Sequence, residues 1–179
     1  MATTHGMRLI GLSGWSGAGK TTLLAKLIPE LIGRGLSVST LKHAHHAFDV
    51  DTPGKDSWVH REAGATEVLI SSGRRFALMH ELRGAPEPTL PELLARLAPV
   101  DLVLVEGFKR GAHPKIEIFR AENGKPPIHP DDPAVVAVAS DVPLPGARVP
   151  VVDLDDIAAI ADIVVRAAQP VEALLATAD

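Results

Sequence analysis

The feature that most constrains this chain is a glycine-rich segment that stands between an apolar run and a helical pattern. Residues 14–21 read Gly-Trp-Ser-Gly-Ala-Gly-Lys-Thr and match G-x-x-x-x-G-K-[ST] at every fixed position. The apolar residues 9–12 precede this segment, and residues 20–34 follow with apolar side chains at helical spacing. A strand, a glycine loop and a helix in this order are typical of a phosphate-binding loop, so we expect the chain to bind a nucleoside triphosphate.

Each fixed position of the phosphate loop has a physical role. The glycines let backbone N–H groups turn inward around a phosphate without Cβ clashes. The helix that begins near Lys20 directs the positive end of its dipole at the same anion. Lys20 brings a charge to the outer phosphates, and the Thr21 hydroxyl can ligate Mg²⁺. The expected nucleotide-binding residues are Gly14, Trp15, Ser16, Gly17, Ala18, Gly19, Lys20, Thr21 and Thr22.

The patterns beyond this loop predict an α/β fold. Strand patterns alternate with helix patterns, at residues 36–41, 88–97, 101–105, 134–139, 149–152 and 154–168. Only 3% of the residues are aromatic, and a core of Val, Leu, Ile and Ala suits a buried parallel sheet. We expect a three-layer P-loop NTPase domain with a mainly parallel central sheet flanked by helices. We predict one domain over residues 1–179, with flexible ends at 1–6 and 170–179.

The remaining segments are less regular. Residues 67–71 and 76–82 look like strands joined by a turn at Gly73, and residues 58–63 like a short helix capped by Asp56 or Ser57. Residues 115–119 alternate and are predicted to be an edge strand. Residues 121–133 are predicted to be a loop because they are rich in proline, glycine and charge.

Composition excludes several classes of protein. The net charge of −4 disfavours a nucleic-acid binder, and the absence of cysteine excludes disulfides and thiolate sites. No apolar run approaches the roughly 20 residues that span a membrane, and the first residues lack the pattern of a secretory signal. We therefore expect a cytoplasmic protein without nucleic-acid or membrane partners.

Carboxylates near the predicted sheet edge are the candidate partners of Mg²⁺. An acidic residue at the end of a neighbouring strand usually holds this ion in NTPases, and Glu106 closes the strand pattern at residues 101–105. Asp49 and Asp51 lie in the polar segment after the second strand and are candidates to hold the metal or position water. We expect Lys20, Asp49 and Glu106 to serve hydrolysis, and Thr21, Asp49, Asp51 and Glu106 to hold the metal.

The segment of residues 42–56 has three histidines and three aspartates and is predicted to be a surface loop. Lys42 and His43, with His45 and His46, are candidates to contact phosphates or a second anionic substrate. A zinc site and a plain solvated loop are the alternatives. Arg61, further along, is expected to pair on the surface with Glu62 or Asp56.

Asp141 is the candidate for recognising the base. No Asn-Lys-x-Asp guanine signature occurs, but Ser140-Asp141 closes a late strand, where the base of a nucleotide would lie. A carboxylate can accept hydrogen bonds from guanine N1–H and N2–H, a pair of donors that adenine lacks. Recognition of guanine by Asp141 is therefore a hypothesis.

Taken in order, these motifs resemble molybdopterin-guanine dinucleotide biosynthesis protein B, the MobB family, over about residues 7–168. The core pattern shows no clear departure, but Ala44 stands where a polar residue is expected between the histidines, which disfavours a direct ligand role for that position. Besides the phosphate loop, the resemblance rests on Leu41-Lys42-His43-Ala44-His45-His46, Asp49-Val50-Asp51, Gly54-Lys55-Asp56-Ser57, Ala63-Gly64-Ala65 and Val105-Glu106-Gly107-Phe108-Lys109.

The resemblance implies a homodimeric GTP-binding protein with weak GTPase activity. It implies an adapter beside a molybdenum cofactor guanylyltransferase, MobA, which attaches GMP to molybdopterin. Whether molybdopterin itself binds is left open. Two other functions fit the phosphate loop alone: a small-molecule kinase or ligase, and a metal-insertion NTPase that uses the histidines.

Overall fold

The sheet that carries the phosphate loop lies in one of two compact units of the computed structural model, which describes residues 6–44, 48–108 and 111–175. The first unit contains residues 1–43 and 90–179, and the second contains residues 44–89. Whether residues 1–179 act as one domain stays a prediction. Across the described ranges, no helix is both long and apolar enough to cross a membrane.

The first unit is built on a seven-stranded sheet with a parallel path of six strands. In spatial order these are β2 (Val38–Lys42), β5 (Leu102–Glu106), β1 (Arg8–Ser13), β6 (Lys115–Phe119), β7 (Val135–Ser140) and β8 (Val151–Asp153). The short β9 (Gln169–Pro170) pairs antiparallel with the start of β1. Because the six strands are parallel, they all end at the edge where the phosphate loop follows β1.

Helices cover both faces of this sheet. α1 (Lys20–Gly33) and α4 (Ile157–Ala167) bury Leu27 and Ile160 in one core, against side chains such as Ile10. α3 (Leu90–Leu94) and α5 (Val171–Leu175) contribute to a second core that contains Leu9 of β1. Adjacent residues of β1 enter opposite cores because side chains alternate along a strand. The predicted three-layer α/β fold is confirmed.

The prediction of an edge strand at residues 115–119 is wrong. β6 lies between β1 and β7, and its polar residues Lys115 and Glu117 are 2% and 0% exposed. The alternation that suggests a solvated face comes from these two buried groups. Lys115 Nζ donates to the Asp132 carboxylate over 3.0 Å, and Glu117 accepts from the backbone N–H of Ile128 over 2.7 Å. The segment predicted as a plain loop, residues 121–133, supplies the partners.

Several element boundaries also differ from the sequence prediction. α4 begins at Ile157 and not at 154, because the Asp156 side chain caps it by accepting from the Ala159 N–H. A flexible end was expected from residue 170, but α5 begins at Val171, whose side chain is completely buried. Residues 1–5 and 176–179 lie outside the described ranges.

The second unit contains α2 (Asp56–Glu62) and a hairpin of β3 (Glu67–Ser71) and β4 (Phe76–His80). The predicted turn around Gly73 is present, with the Ser72 N–H donating to the Arg75 carbonyl. The N-cap of α2 is Lys55 and not Asp56 or Ser57. Ser57 is unavailable as a cap because its hydroxyl donates to Asp51 over 2.8 Å.

Candidate functional site

The phosphate loop is a tight turn that requires glycine at its first position. Gly14 follows β1 with φ of 148°, and a Cβ there would lie 2.6 Å from the Ile118 carbonyl oxygen of β6. Gly17 and Gly19 also have positive φ, at 83° and 92°. These conformations aim backbone N–H groups into the concave side of such a loop.

Lys20, the first residue of α1, reaches back across this loop. Its ammonium donates to the carbonyl oxygen of Gly14 over 2.8 Å and to that of Trp15 over 3.1 Å. The first intrahelical bond runs from the Leu23 N–H to the Gly19 carbonyl, and the first N–H groups of a helix have no acceptor within it. Lys20, Thr21 and Thr22 therefore occupy the helix turn that faces an anion in this kind of site.

Glu106 lies at the same sheet edge as the loop. It pairs in register with Leu12 of β1 on one side and with Lys42 of β2 on the other. The Glu106 carboxylate is only 14% exposed, and Lys42 Nζ lies 3.6 Å from its Oε2. The structure thus brings Lys42 and Glu106 together, at the same sheet edge as the phosphate loop that Lys20 crosses.

His43 is fixed against the turn that follows Glu106. Its backbone N–H donates to the Glu106 carbonyl over 2.8 Å, and its ring centroid lies 4.9 Å from that of Phe108. Gly107 has φ of 100°, and a Cβ there would lie 2.6 Å from the Cβ of His43. Close packing of β2 against this turn explains why glycine follows Glu106. His45, His46, Lys109 and Arg110 lie outside the described residues.

Asp141 lies beyond β7, two strands from the phosphate loop. Its Oδ1 accepts a hydrogen bond from the Ala121 backbone N–H over 3.0 Å. A cavity of about 240 Å³ adjoins it, lined by residues 140–143 and by β8. Asp141 therefore has a structural partner on one oxygen and a cavity beside it, which the sequence did not indicate.

The segment of residues 120–126 contacts the phosphate loop at three points, and sequence reasoning missed it. Asn123 Nδ2 donates to the Ser16 carbonyl over 3.3 Å, and the Trp15 indole N–H donates to the Pro126 carbonyl over 2.8 Å. A Cβ on Gly19 would lie 3.1 Å from Arg120 Nε. No fixed spacing marks such a segment, because its contacts are long-range in sequence.

Asp49 and Asp51 lie in the second unit, where they surround Arg61. The guanidinium donates to Asp49 Oδ2 over 2.8 Å, Asp51 Oδ2 over 3.3 Å and Glu81 Oε1 over 2.9 Å. The expected partners Glu62 and Asp56 are therefore wrong, because the helix directs Arg61 towards the preceding loop and the end of β4. Arg61 is 13% exposed on its side chain and links three segments of this unit.

The charges of this cluster hold the two aspartates ionised. The Asp51 N–H and then Arg61 keep the pKa of Asp49 below its ordinary value. Burial raises the pKa of Asp51, but hydrogen bonds from Ser57, Thr52 and Arg61 outweigh it and lower the pKa overall. Within the described ranges, no three histidine, aspartate or glutamate side chains form a group that could hold a metal ion.

Comparison with known proteins gives consistent matches. The family model of MobB, described as molybdopterin guanine dinucleotide synthesis protein B, matches residues 9–141. The "Molybdopterin-guanine dinucleotide biosynthesis adapter protein" of Escherichia coli (strain K12) is 46% identical over 161 residues, which are 88% of this chain and 91% of that protein. The protein of the same name from Haemophilus influenzae (strain ATCC 51907 / DSM 11121 / KW20 / Rd) is 46% identical over 159 residues, 87% of this chain and 86% of its own length.

A solved structure shares the fold along most of its length. The crystal structure of molybdopterin-guanine biosynthesis protein B (mobB) is 27% identical and has a TM-score of 0.69. It covers 88% of this chain and 97% of its own.

Proposed function

The chain belongs to the MobB family, and from this membership we propose that it is a GTP-binding adapter in molybdopterin-guanine dinucleotide biosynthesis. The proposal takes the word adapter from the names of its relatives. The observation that carries the nucleotide-binding part is the loop after β1, where Gly14 has no room for a Cβ and Lys20 crosses the turn.

Different residues at the sheet edge bind different parts of the nucleotide. The backbone of residues 14–19, with Thr22, holds the phosphates, and Lys20 neutralises the outer ones. Thr21 and Glu106 hold Mg²⁺, which prefers few protein ligands together with phosphate oxygens. Lys42 and His43 flank Glu106 and contact a phosphate or the metal's water shell. Asp141 reads guanine with the oxygen that does not hold Ala121.

In this proposal, Asp49 and Asp51 are further candidates to hold Mg²⁺ or position water, but Arg61 already binds both. In the structure their carboxylates accept hydrogen bonds from Arg61, so Arg61 competes with Mg²⁺ or water for the same oxygens. Glu106 likewise has a cation beside it, because Lys42 Nζ lies 3.6 Å from its Oε2.

Hydrolysis by this site is slow in our proposal. Fast GTPases position water with a glutamine and stabilise the transition state with an arginine finger. The sequence has a single glutamine, Gln169, and it pairs with Leu9 at the start of β1, the end opposite to the phosphate loop. A slow GTPase suits an adapter whose bound nucleotide persists while a partner acts.

Calorimetric titration with GTP and with ATP, each with Mg²⁺, tests this proposal. We expect preferential binding of GTP and slow phosphate release in the same samples. Lys20→Ala removes charge-assisted contacts to phosphate, so GTP affinity should fall by about 10- to 150-fold. Arg148→Ala is the matched control, because Arg148 is exposed before β8 and its removal changes the charge equally.

Two results would contradict the proposal. Preference for ATP, or fast turnover with a small acceptor, would favour a kinase or ligase. Unchanged GTP affinity in Lys20→Ala would remove the phosphate-loop argument itself.

The partner of the adapter is, in this proposal, a molybdenum cofactor guanylyltransferase (MobA-like) that attaches GMP to molybdopterin. Capture of the purified enzyme by immobilised protein, with and without GTP and Mg²⁺, tests it. We expect capture by the wild type that depends on nucleotide and is lost in Lys20→Ala. Equal capture by both proteins would mean that nucleotide does not control this contact.

The second unit carries the surface on which we propose a homodimer. Paired strand residues share a face, so Leu69 and Leu78 lie together beside Phe76, and the three side chains are 62%, 50% and 73% exposed. An isolated two-stranded hairpin is marginally stable in water. A second copy of the chain that covers this apolar face would stabilise both hairpins, as the resemblance to homodimeric proteins suggests.

The mass of the protein in solution tests the dimer. Light scattering after size exclusion should give twice the chain mass for the wild type and the single mass for Leu78→Lys. Ile32→Lys is the matched control, because Ile32 is 55% exposed on α1 in the first unit. A monomeric wild type, or a dimer that persists in Leu78→Lys, would refute this assignment.

A further inference from the structure

Arg120 is a charged residue beside the phosphate loop that the proposed function does not yet use. It follows β6, and its guanidinium lies over the last glycine of the loop: a Cβ on Gly19 would be 3.1 Å from Nε and 3.6 Å from one terminal nitrogen. A side chain at Gly19 would have to push the guanidinium aside. The guanidinium also lines a narrow recess with Thr22 of α1.

The donors of Arg120 are not consumed by its neighbours. Asp155 is the nearest carboxylate in the recess, and Lys26 already donates to it over 2.9 Å. Lys26 is the main cause that lowers the pKa of Asp155, and Arg120 adds only a weaker attraction. Within the described residues, the Arg120 guanidinium makes no hydrogen bond. Five N–H donors in a half-buried position beside a phosphate loop match a bidentate phosphate contact.

The backbone fixes where this side chain starts. Asp141 holds the next residue, Ala121, through its N–H, and Asn123 holds the same segment to the loop at Ser16. The segment that follows Arg120 is thus held to the end of β7 and to the phosphate loop. Its guanidinium is on the Thr22 side, where the loop backbone cradles the inner phosphates, whereas Lys20 serves the outer ones.

We propose that Arg120 binds the inner phosphates of the nucleotide, those that GTP and GDP share, and so acts as a further binding residue of the phosphate site. This assignment rests on the proposed GTP-binding function. It predicts a triphosphate held from two sides, by Lys20 at the outer end and by Arg120 at the inner end.

Calorimetry of GTP and GDP binding to Arg120→Ala tests the assignment. Affinity for both nucleotides should fall by the same factor, about 10- to 100-fold, because the lost charge-assisted bonds go to shared phosphates. Arg120→Lys should recover part of the loss, since it restores a point charge without the bidentate fork. The melting temperature of the ligand-free protein should stay within the range of Arg148→Ala, which removes a positive charge at a distant site.

Asp155→Asn separates this role from a structural one. If Arg120 acts only through a structural ion pair with Asp155, both variants break that pair and should weaken GDP binding equally. We expect Asp155→Asn to keep its GDP affinity. Loss for GTP alone, equal loss in Asp155→Asn, or unchanged affinity in Arg120→Ala would overturn the inference. Failure of the wild type to bind GTP would instead overturn the proposed function.

Discussion

The stability of the first unit should depend on pH through one buried histidine, His113. Its side chain is 1% exposed, and no described protein group hydrogen bonds to either ring nitrogen. A Cβ on Gly11 would lie 2.6 Å from its Nε2, so the ring is pressed onto β1. Burial, and then the charge of Lys115, lower the pKa of His113 from 6.5 to about 4, against a small opposing effect of Asp132.

The direction follows from which state binds the proton. Because the pKa of His113 is lower in the folded state, the unfolded state binds more protons between pH 6.5 and about 4. The free energy of unfolding therefore decreases as the pH is lowered through this window. Between about pH 7.5 and about pH 5, the free energy of unfolding should decrease by about 2 kcal/mol. The lower pH lies about 1.5 units below the unfolded-state pKa of His113, and each unit contributes about 1.4 kcal/mol. Carboxylates with lowered pKa values, such as Asp101, add their losses nearer pH 3.8 and below.

Urea unfolding at the two pH values measures this change. Trp58→Phe leaves Trp15 as the tryptophan that reports on the first unit, and circular dichroism follows the whole chain. The wild type should lose about 2 kcal/mol more than His113→Leu between the two conditions. His113→Asn, polar but not titrating, should behave as His113→Leu does. A pH dependence that is the same in all three proteins would refute the reasoning, since some other group would then carry it.

Two further predictions concern packing around the site. Gly14→Ala should destabilise the protein by about 1–3 kcal/mol, because its Cβ meets the Ile118 carbonyl, whereas Gly33→Ala at the open end of α1 should cost nothing or stabilise slightly in thermal unfolding. Glu117→Leu should cost about 3–5 kcal/mol in urea unfolding, because the N–H groups of Ile128 and His129 lose a buried charged acceptor, and Glu122→Leu at an exposed position is its control. Equal effects of variant and control would contradict either prediction.

The sequence predicted those features that depend on local pattern. The phosphate loop has fixed spacing, so its position between β1 and α1 was evident, and the strand that ends at Glu106 was evident from its apolar run. Sheet order was less accessible. β6 alternates like a half-exposed strand, and only the structure shows that Asp132 and the backbone of Ile128 satisfy its polar face from above. Alternation of polar and apolar residues along a strand indicates which side chains share a face of the sheet. It does not indicate whether the polar face is exposed to water.

The candidate site was predictable to the same extent. Lys20 and Glu106 could be placed because each stands at the end of a recognisable strand or loop. Arg61 and Arg120 could not. The partners of Arg61 lie 10 to 20 residues away, and Arg120 lies against Gly19, far earlier in the chain. Asp49 and Asp51 were expected to be metal ligands because the sequence does not show that an arginine binds their carboxylates.

The buried polar side of β6 explains how a segment without a motif can take part in the phosphate site. Lys115 and Glu117 fix residues 128–132 over the sheet through charged hydrogen bonds, which are costly to break when buried. The chain that leads to residues 128–132 begins at Arg120. It contacts Ser16 and Trp15 of the phosphate loop before it reaches the partners of Lys115 and Glu117. Its far end is therefore held by buried charges and its near end by the phosphate loop. A change in the buried pair of Lys115 and Asp132 should thus reach the nucleotide through Arg120.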